Sequence, residues 1–281
     1  MSMKTIAVIG AGQMGQGIAQ VFATSGFRVI LNDIDHQAIV KGVQTLQRSL
    51  HKLHDKGLLD ESPNAITDRI VASTDFSALT RASLVVEAAT ENEQLKRKIF
   101  SQLDKICADE TILATNTSSL SVTRLAAVTS RPEKVIGLHF MNPVPLMQLV
   151  EVIKGLQTSD DTYQTMLDIT QTLNKTAVTS KDRPGFIVNR ILMPMINEAV
   201  FALYENVASA IEIDEAMTLG AAHPMGPLAL ADLIGLDTCL SIMQVLYDGF
   251  SDSKYRPCPL LVQMVDAGFL GRKTGRGFFD Y

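Results

Sequence analysis

The segment His139-Phe140-Met141-Asn142-Pro143-Val144-Pro145-Leu146-Met147-Gln148-Leu149-Val150-Glu151 sets a histidine, an asparagine and a carboxylate around two prolines, between two apolar runs. Histidine exchanges protons most readily near neutral pH, and a carboxylate can fix its tautomer and stabilise its cation. Glu151 interrupts the apolar run Leu149-Val150-Glu151-Val152-Ile153, where burying it without a partner would be costly. A pairing with His139 across a proline turn explains it; an edge-strand Glu151 facing water is the alternative. Such a pair suits removal of a proton from a hydroxyl, provided that another group accepts a hydride.

The N-terminus supplies a place for that acceptor. Gly10-Ala11-Gly12-Gln13-Met14-Gly15 is GxGxxG, directly after a β-branched run (Lys4 to Ile9) and at the start of a helical segment (Gly12 to Ser25). The first glycine permits a tight turn, the second lets a pyrophosphate approach the backbone, and the third lets helix pack on strand. A helix N-terminus then offers amides and a favourable dipole to the phosphates. Alone, the hexapeptide equally fits a glycine-rich turn. Asp33 follows a second strand, Arg28 to Asn32, 18 positions after Gly15, a spacing suited to a carboxylate on the adenosine ribose. It would repel a 2′-phosphate, which favours NAD over NADP; a helix cap before a 36–57 helix is its other reading.

These residues need a sheet to converge on. Further apolar runs at Ile70–Ser73, Leu84–Glu87, Thr111–Ala114, Val135–His139 and Leu149–Ile153 alternate with helical segments, so the spacing predicts an α/β, Rossmann-type doubly wound, mostly parallel sheet covered on both faces. The polar helical stretch from Ile34 to Leu59 is expected as an arm. After the turn Asp182-Arg183-Pro184-Gly185 the strand pattern stops, so residues 1–183 are expected as the first domain and 184–281 as an all-α second one. Helices are predicted over Ile187–Asn206, Ile211–Leu219 and Pro227–Tyr247, the first with a long apolar face that calls for another helix, from the same domain or a second subunit.

Other polar residues are open to two readings. Glu91 and Lys96 follow the fourth strand, where a doubly wound fold opens its crevice, yet on spacing alone they read as a solvated helix pair. Asn116-Thr117-Ser118-Ser119 follows the next strand; a hydroxyl there could donate to a substrate oxygen, or the segment could cap a 121–126 helix. Asn189, in an apolar helix start, is a structural hydrogen bonder or a substrate contact.

Composition sets the outer bounds. The 281 residues are 46% hydrophobic and 20% charged, enough for a full core and unlike a disordered chain. A formal net charge of -5 speaks against nucleic acid as the main partner. Cys107, Cys239 and Cys258 are far apart and lack CxxC spacing, which suggests neither a disulfide framework nor a metal site and fits a reducing cytoplasm. The N-terminal segment lacks the features of a secretory signal, and no run approaches the ~20 apolar residues that span a bilayer, so secretion and membrane insertion are not expected.

Taken together the motifs resemble the 3-hydroxyacyl-CoA dehydrogenase family, and within it the stand-alone bacterial 3-hydroxybutyryl-CoA type. The likeness runs through nearly the whole chain. It rests on the glycine fingerprint, Asn116 to Leu120, His139 to Glu151, Arg183-Pro184-Gly185-Phe186-Ile187-Val188-Asn189-Arg190, His223-Pro224-Met225-Gly226-Pro227-Leu228 and Gly271-Arg272-Lys273-Thr274-Gly275-Arg276-Gly277-Phe278. The resemblance implies reversible, NAD-dependent oxidation of an (S)-3-hydroxyacyl-CoA, with His139 as general acid/base, Glu151 as its partner, and Ser118 and Asn189 on the substrate. It implies that Glu91, Lys96, Ser118, Asn142 and Lys273 join Gly10, Gly12, Gln13, Met14, Gly15 and Asp33 around NAD. It also puts coenzyme A on Ser49, Lys56 and Ser118, makes His223 structural, and gives the helical domain substrate-binding and homodimer contacts. Without it, Lys273 reads as an exposed basic tail, and Ser49 and Lys56 as solvated surface. Two other readings keep the fold: a dehydrogenase of a free hydroxy or sugar acid, and a non-catalytic NAD-binding protein.

Overall fold

A computed structural model describes residues 5–281; Lys4, expected to open the first strand, lies outside them. The chain divides into two compact units that meet in sequence at Arg183 and Pro184.

The first unit is built on β1 (Thr5–Ile9), β2 (Arg28–Asn32), β3 (Ile70–Ser73), β4 (Leu84–Glu87), β5 (Ile112–Thr115), β6 (Val135–Phe140), β7 (Leu149–Lys154) and β8 (Thr176–Lys181). They form one sheet in the order β3-β2-β1-β4-β5-β6-β7-β8. β6 and β7 run antiparallel, and every other neighbouring pair is parallel. The first six strands thus have the doubly wound order, whose crevice opens where the order reverses, between β1 and β4. The central strands are apolar and buried almost end to end, as strands with both faces covered must be.

The helices of this unit are α1 (Gln13–Thr24), α2 (His36–Asp55), α3 (Pro63–Thr67), α4 (Glu93–Ile106), α5 (Val122–Ala126) and α6 (Asp160–Thr172). α2 forms the expected polar arm, with Ile39, Gly42, Leu46 and Leu50 as its buried stripe. Gly42 comes so close to the glycine loop that a Cβ there would lie 2.8 Å from the Ala11 carbonyl oxygen. Asp35 caps α2 through the Gln37 amide (2.8 Å), which leaves Asp33 for another task. β8 is absent from the sequence-based expectations: Thr-Ala-Val-Thr-Ser-Lys is polar and half-exposed, as an edge strand next to β7 can be.

The second unit is helical: α7 (Val188–Tyr204), α8 (Ala210–Gly220), α9 (Pro227–Ile234), α10 (Leu236–Phe250) and α11 (Pro259–Asp266). The single helix expected over Pro227–Tyr247 is two helices. The chain turns at Gly235, with φ +104°, and the two axes differ by 98°. That backbone conformation is open to glycine and costly for any residue with a Cβ. α11, absent from the expectations, joins a core with Met193, Ile196, Val200, Leu228, Leu236, Met243 and Leu261.

Residues of two of the motifs behind the family resemblance take part in packing here. Asp214 accepts hydrogen bonds from the Leu228 and Ala229 amides (both 2.8 Å) and so caps α9, while Gly226 leaves room that a Cβ would fill 2.1 Å from the Asp214 Cγ. Asp232, 1% exposed, accepts from the Phe278 and Phe279 amides (both 3.0 Å) and the Tyr281 hydroxyl (3.1 Å), docking the C-terminal segment on α9.

Candidate active site

The glycine loop leaves β1 at Gly10, whose φ of +98° and proximity to Ala88 (2.6 Å from a hypothetical Cβ to the carbonyl oxygen) exclude larger residues. A Cβ on Gly15 would fall 1.7 Å from the Gly10 carbonyl oxygen, so α1 can approach β1 only as glycine. At Gly12 a Cβ would meet nothing within 4 Å. That open space lies at the N-cap of α1, where no side chain covers the first amides. It is the form of a pyrophosphate cradle.

Asp33 stands at the end of β2. Its Oδ2 accepts from the Ala11 amide (2.7 Å) and its Oδ1 from the Asp35 amide (3.0 Å), so the carboxylate is oriented across the loop. Beside it a cavity of about 830 Å³ is lined by Gly12, Asp33, Ile34, Phe76, Ala89 and Leu95, among others. Apolar walls with one oriented carboxylate suit an adenosine, its base on the walls and its ribose on the acid. The cradle, the carboxylate and the cavity together fit the NAD implied by the sequence. Gln13 Nε2 donates to Asn142 Oδ1 (3.2 Å), bringing the glycine loop to the turn after β6. Met14 is half-buried and packs on the core instead of standing free.

His139 and Glu151 are cross-strand partners in the antiparallel β6–β7 pair. Residues directly opposite in such a pair extend on the same face of the sheet, and this register is what spans twelve residues of sequence. His139 Nδ1 lies 2.6 Å from Glu151 Oε2; Glu151 has no exposure and His139 only 7%. Glu151 is not an edge residue facing water, because β8 covers that side of β7. The turn between them is tied down from two directions. Lys175 donates to the carbonyls of Val144 (2.8 Å) and Met147 (2.6 Å), and Gly17 of α1 leaves the space in which Val144 sits. Burial holds the Lys175 ammonium below the usual lysine range.

At the end of β5, Asn116 Oδ1 accepts from the Phe140 amide (2.9 Å), fastening this loop to the strand that carries His139. Ser121, not the preceding segment, caps α5. Thr117, Ser118 and Ser119 instead surround the Glu91 carboxylate. Its Oε1 accepts from the Thr117 hydroxyl, the Ser118 amide (3.0 Å), the Ser119 amide (3.2 Å) and the Ser119 hydroxyl (3.1 Å), with the Ser118 hydroxyl at 3.4 Å.

The reading of Glu91 and Lys96 as a solvated pair is overturned for Lys96, which is 1% exposed. Its ammonium lies 2.7 Å from Oε1 of Glu87, a fully buried acid absent from the sequence-based candidates, and 3.5 Å from Oε2 of Glu91. The missed signal was an acid ending the apolar run Leu84-Val85-Val86-Glu87, of the same kind as Glu151.

The other candidates lie apart from this cluster along the chain. Ser49 is half-buried on α2 and Lys56, its exposed C-cap, lies two turns further on, so both share one helical face. In the second unit, Asn189 is buried in the first turn of α7, and Lys273 is not a loose tail: its ammonium pairs with Asp237 at the start of α10. His223 is half-buried, with its amide bonded to the Met217 carbonyl (3.2 Å).

The first unit, with its doubly wound sheet, phosphate cradle and ribose-side carboxylate, defines a nicotinamide-nucleotide-binding protein, and it holds a buried His–Glu pair near the C-terminal end of β6. Comparison with known proteins makes the class specific. Residues 5–183 match the 3-hydroxyacyl-CoA dehydrogenase NAD binding domain, and residues 185–281 the C-terminal domain of the same family. A 3-hydroxybutyryl-CoA dehydrogenase of Bradyrhizobium diazoefficiens is 55% identical over 99% of this chain and 96% of its own length. The mitochondrial hydroxyacyl-coenzyme A dehydrogenase of Sus scrofa is 42% identical, over 99% and 91%. The crystal structure of (S)-3-hydroxybutyryl-CoA dehydrogenase from Ralstonia eutropha superimposes with a TM-score of 0.96 at 53% identity, covering 100% of this chain and 99% of that one. The chain belongs to the 3-hydroxyacyl-CoA dehydrogenase family and is an NAD-dependent oxidoreductase.

Proposed function

We propose that this enzyme interconverts (S)-3-hydroxybutyryl-CoA and acetoacetyl-CoA, with His139 as the proton-exchanging group and Glu151 as its partner. The observation that carries the reading is the buried 2.6 Å contact between His139 Nδ1 and Glu151 Oε2. With Nδ1 committed to the carboxylate, Nε2 is the nitrogen that takes the C3 hydroxyl proton during oxidation, and Glu151 stabilises the imidazolium that results. NAD, when bound, supplies the acceptor for the hydride that leaves C3. In reduction, protonated His139 returns the proton to the 3-oxo oxygen. Ser118 and Asn189 align that oxygen, and orientation of this kind supplies much of the rate enhancement.

The cofactor is held by Gly10, Gly12, Gln13, Met14, Gly15 and Asp33, with Glu91, Ser118, Asn142 and Lys273 completing its surroundings, while Lys96 acts from behind Glu91. Ser49 and Lys56, on one face of α2, take the polar portion of coenzyme A with Ser118. We place the enzyme in the cytoplasm, where its three buried thiols stay reduced. The helical second domain carries substrate and homodimer contacts, a role favoured by exposed apolar residues such as Ile191, Val207, Ile211 and Leu219.

Steady-state reduction of acetoacetyl-CoA and longer 3-oxoacyl thioesters with NADH tests the substrate, and His139→Ala tests the mechanism. The variant is expected to lose turnover by at least about two orders of magnitude, the usual contribution of a general acid/base, with NADH affinity retained. Near-parental turnover would refute the role of His139, and turnover of free acetoacetate but not of its thioester would refute the substrate class.

A further inference from the structure

Family resemblance puts Lys96 among the groups around NAD, but its environment commits its ammonium elsewhere. Nζ donates to Glu87 Oε1 (2.7 Å) and the Ala89 carbonyl (3.1 Å), and lies 3.5 Å from Glu91 Oε2. An ammonium has three donors, and three protein oxygens surround this one at 1% exposure. Glu87, equally buried, accepts through Oε1 from the Ala89 amide (2.7 Å) and through Oε2 from the Thr115 hydroxyl (2.8 Å). Both polar groups of Ala89 are therefore held by one ion pair, and Ala89 lines the cavity beside Asp33. Glu91, two residues on, carries the restraint to the Thr117–Ser119 loop, where its Oε1 collects the amides and hydroxyls around Ser118.

We infer that Glu87 and Lys96 are positioning residues, a buried ion pair that sets Glu91 and through it the Ser118 loop, so that the cofactor-side and substrate-side loops keep one geometry. The inference rests on the reading of Ser118 as a substrate contact. A buried pair of this kind is weak support for net stability but strongly favours one arrangement of its neighbours, because a broken pair leaves an uncompensated charge. Displacement of a substrate-aligning group by about 1 Å can cost about a hundredfold in turnover.

The test is a pair of double-mutant cycles on kcat at saturating NADH and acetoacetyl-CoA, with NADH affinity measured by fluorescence. Lys96→Met and Ser118→Ala form one cycle. Glu91→Gln and Ser118→Ala form the other, and keep the test intact should Lys96→Met fail to fold, because Glu91 is partly exposed. Each of Lys96→Met and Glu91→Gln is expected to lower kcat by about tenfold to a hundredfold in the parent and by less than about threefold in the Ser118→Ala background, the signature of groups acting through one another. Parental kcat with only weakened NADH binding would show Lys96 acting directly on the cofactor and overturn the inference. So would a lowered Tm with parental kcat, or losses that simply multiply with that of Ser118→Ala. Parental turnover in Ser118→Ala alone would remove the reading of Ser118, and the inference with it.

Discussion

Replacement of Glu151 by glutamine tests the acid–base pair most directly, because it removes the charge and keeps the volume. The side chain has no exposure and its Oε2 lies 2.6 Å from His139 Nδ1, so the charge centres of carboxylate and imidazolium are separated by about 4 Å. At an effective dielectric of about 20 that separation gives about 4 kcal/mol of attraction, realised only as the ring takes up the proton. A full loss corresponds to about three orders of magnitude in rate. The ring is only partly protonated in the transition state, and the glutamine oxygen can still accept from Nδ1, so the expected fall in kcat is about two to three orders of magnitude. The assay is stopped-flow oxidation of 3-hydroxybutyryl-CoA at saturating NAD, with NADH affinity as the control. A kcat within threefold of the parent would refute the pairing as a catalytic device.

Three further outcomes follow from the fold. Gly12→Ala places a Cβ in open space and should fold with a parental Tm while weakening NADH by at least about tenfold, whereas Gly15→Ala places one 1.7 Å from the Gly10 oxygen and should destabilise the domain itself; calorimetry with NADH titration separates the two, and equal effects would contradict the division of labour in the loop. Asp33→Asn removes the charge beside the adenosine cavity, so the ratio of NAD to NADP efficiency should fall by about tenfold, an effect of the size of one charged hydrogen bond; an unchanged ratio would dismiss its selective role. Asp232→Ala leaves the Phe278 and Phe279 amides and the Tyr281 hydroxyl without their acceptor, and should cost about 2–4 kcal/mol in denaturant unfolding and expose the C-terminal segment to proteolysis, which parental digestion kinetics would contradict.

The parts of the molecule legible in the sequence are those where one chemical requirement dominates. Buried parallel strands must be apolar throughout, so β1, β2, β4 and β6 are visible as runs, and the glycines of the loop stand at spacings set by the turn, the cradle and the helix contact. β8 satisfies no such requirement. It is half-exposed at the sheet edge, its hydrogen bonds to β7 are made by the backbone, and its polar side chains leave no periodic signal. The break between α9 and α10 is hidden for a different reason. Leu233-Ile234-Gly235-Leu236 continues the helical period of apolar residues, and only the positive φ of Gly235, invisible in the sequence, turns the chain by 98°.

Glu87 shows how far the same physical logic extends. The cost of burying a carboxylate in an apolar run identified Glu151 and predicted a cationic or proton-bearing partner. Applied to Leu84-Val85-Val86-Glu87, it predicts a partner for Glu87 as well, and Lys96, nine residues on in the first turn of α4, meets that demand at 2.7 Å. What sequence spacing could not supply is the third member, because Glu91 reaches Lys96 only through the fold of the loop between β4 and α4. Both buried acids belong to one edge of the sheet: Glu87 ends β4, and Glu151 faces His139 near the end of β6. Parallel strands bring their C-terminal ends together there, so loops with free amides and hydroxyls are available to satisfy charge that no other part of the core could hold. The cost of burial is thereby confined to the edge where a cofactor and substrate must be oriented, and where one arrangement of side chains matters more than added stability.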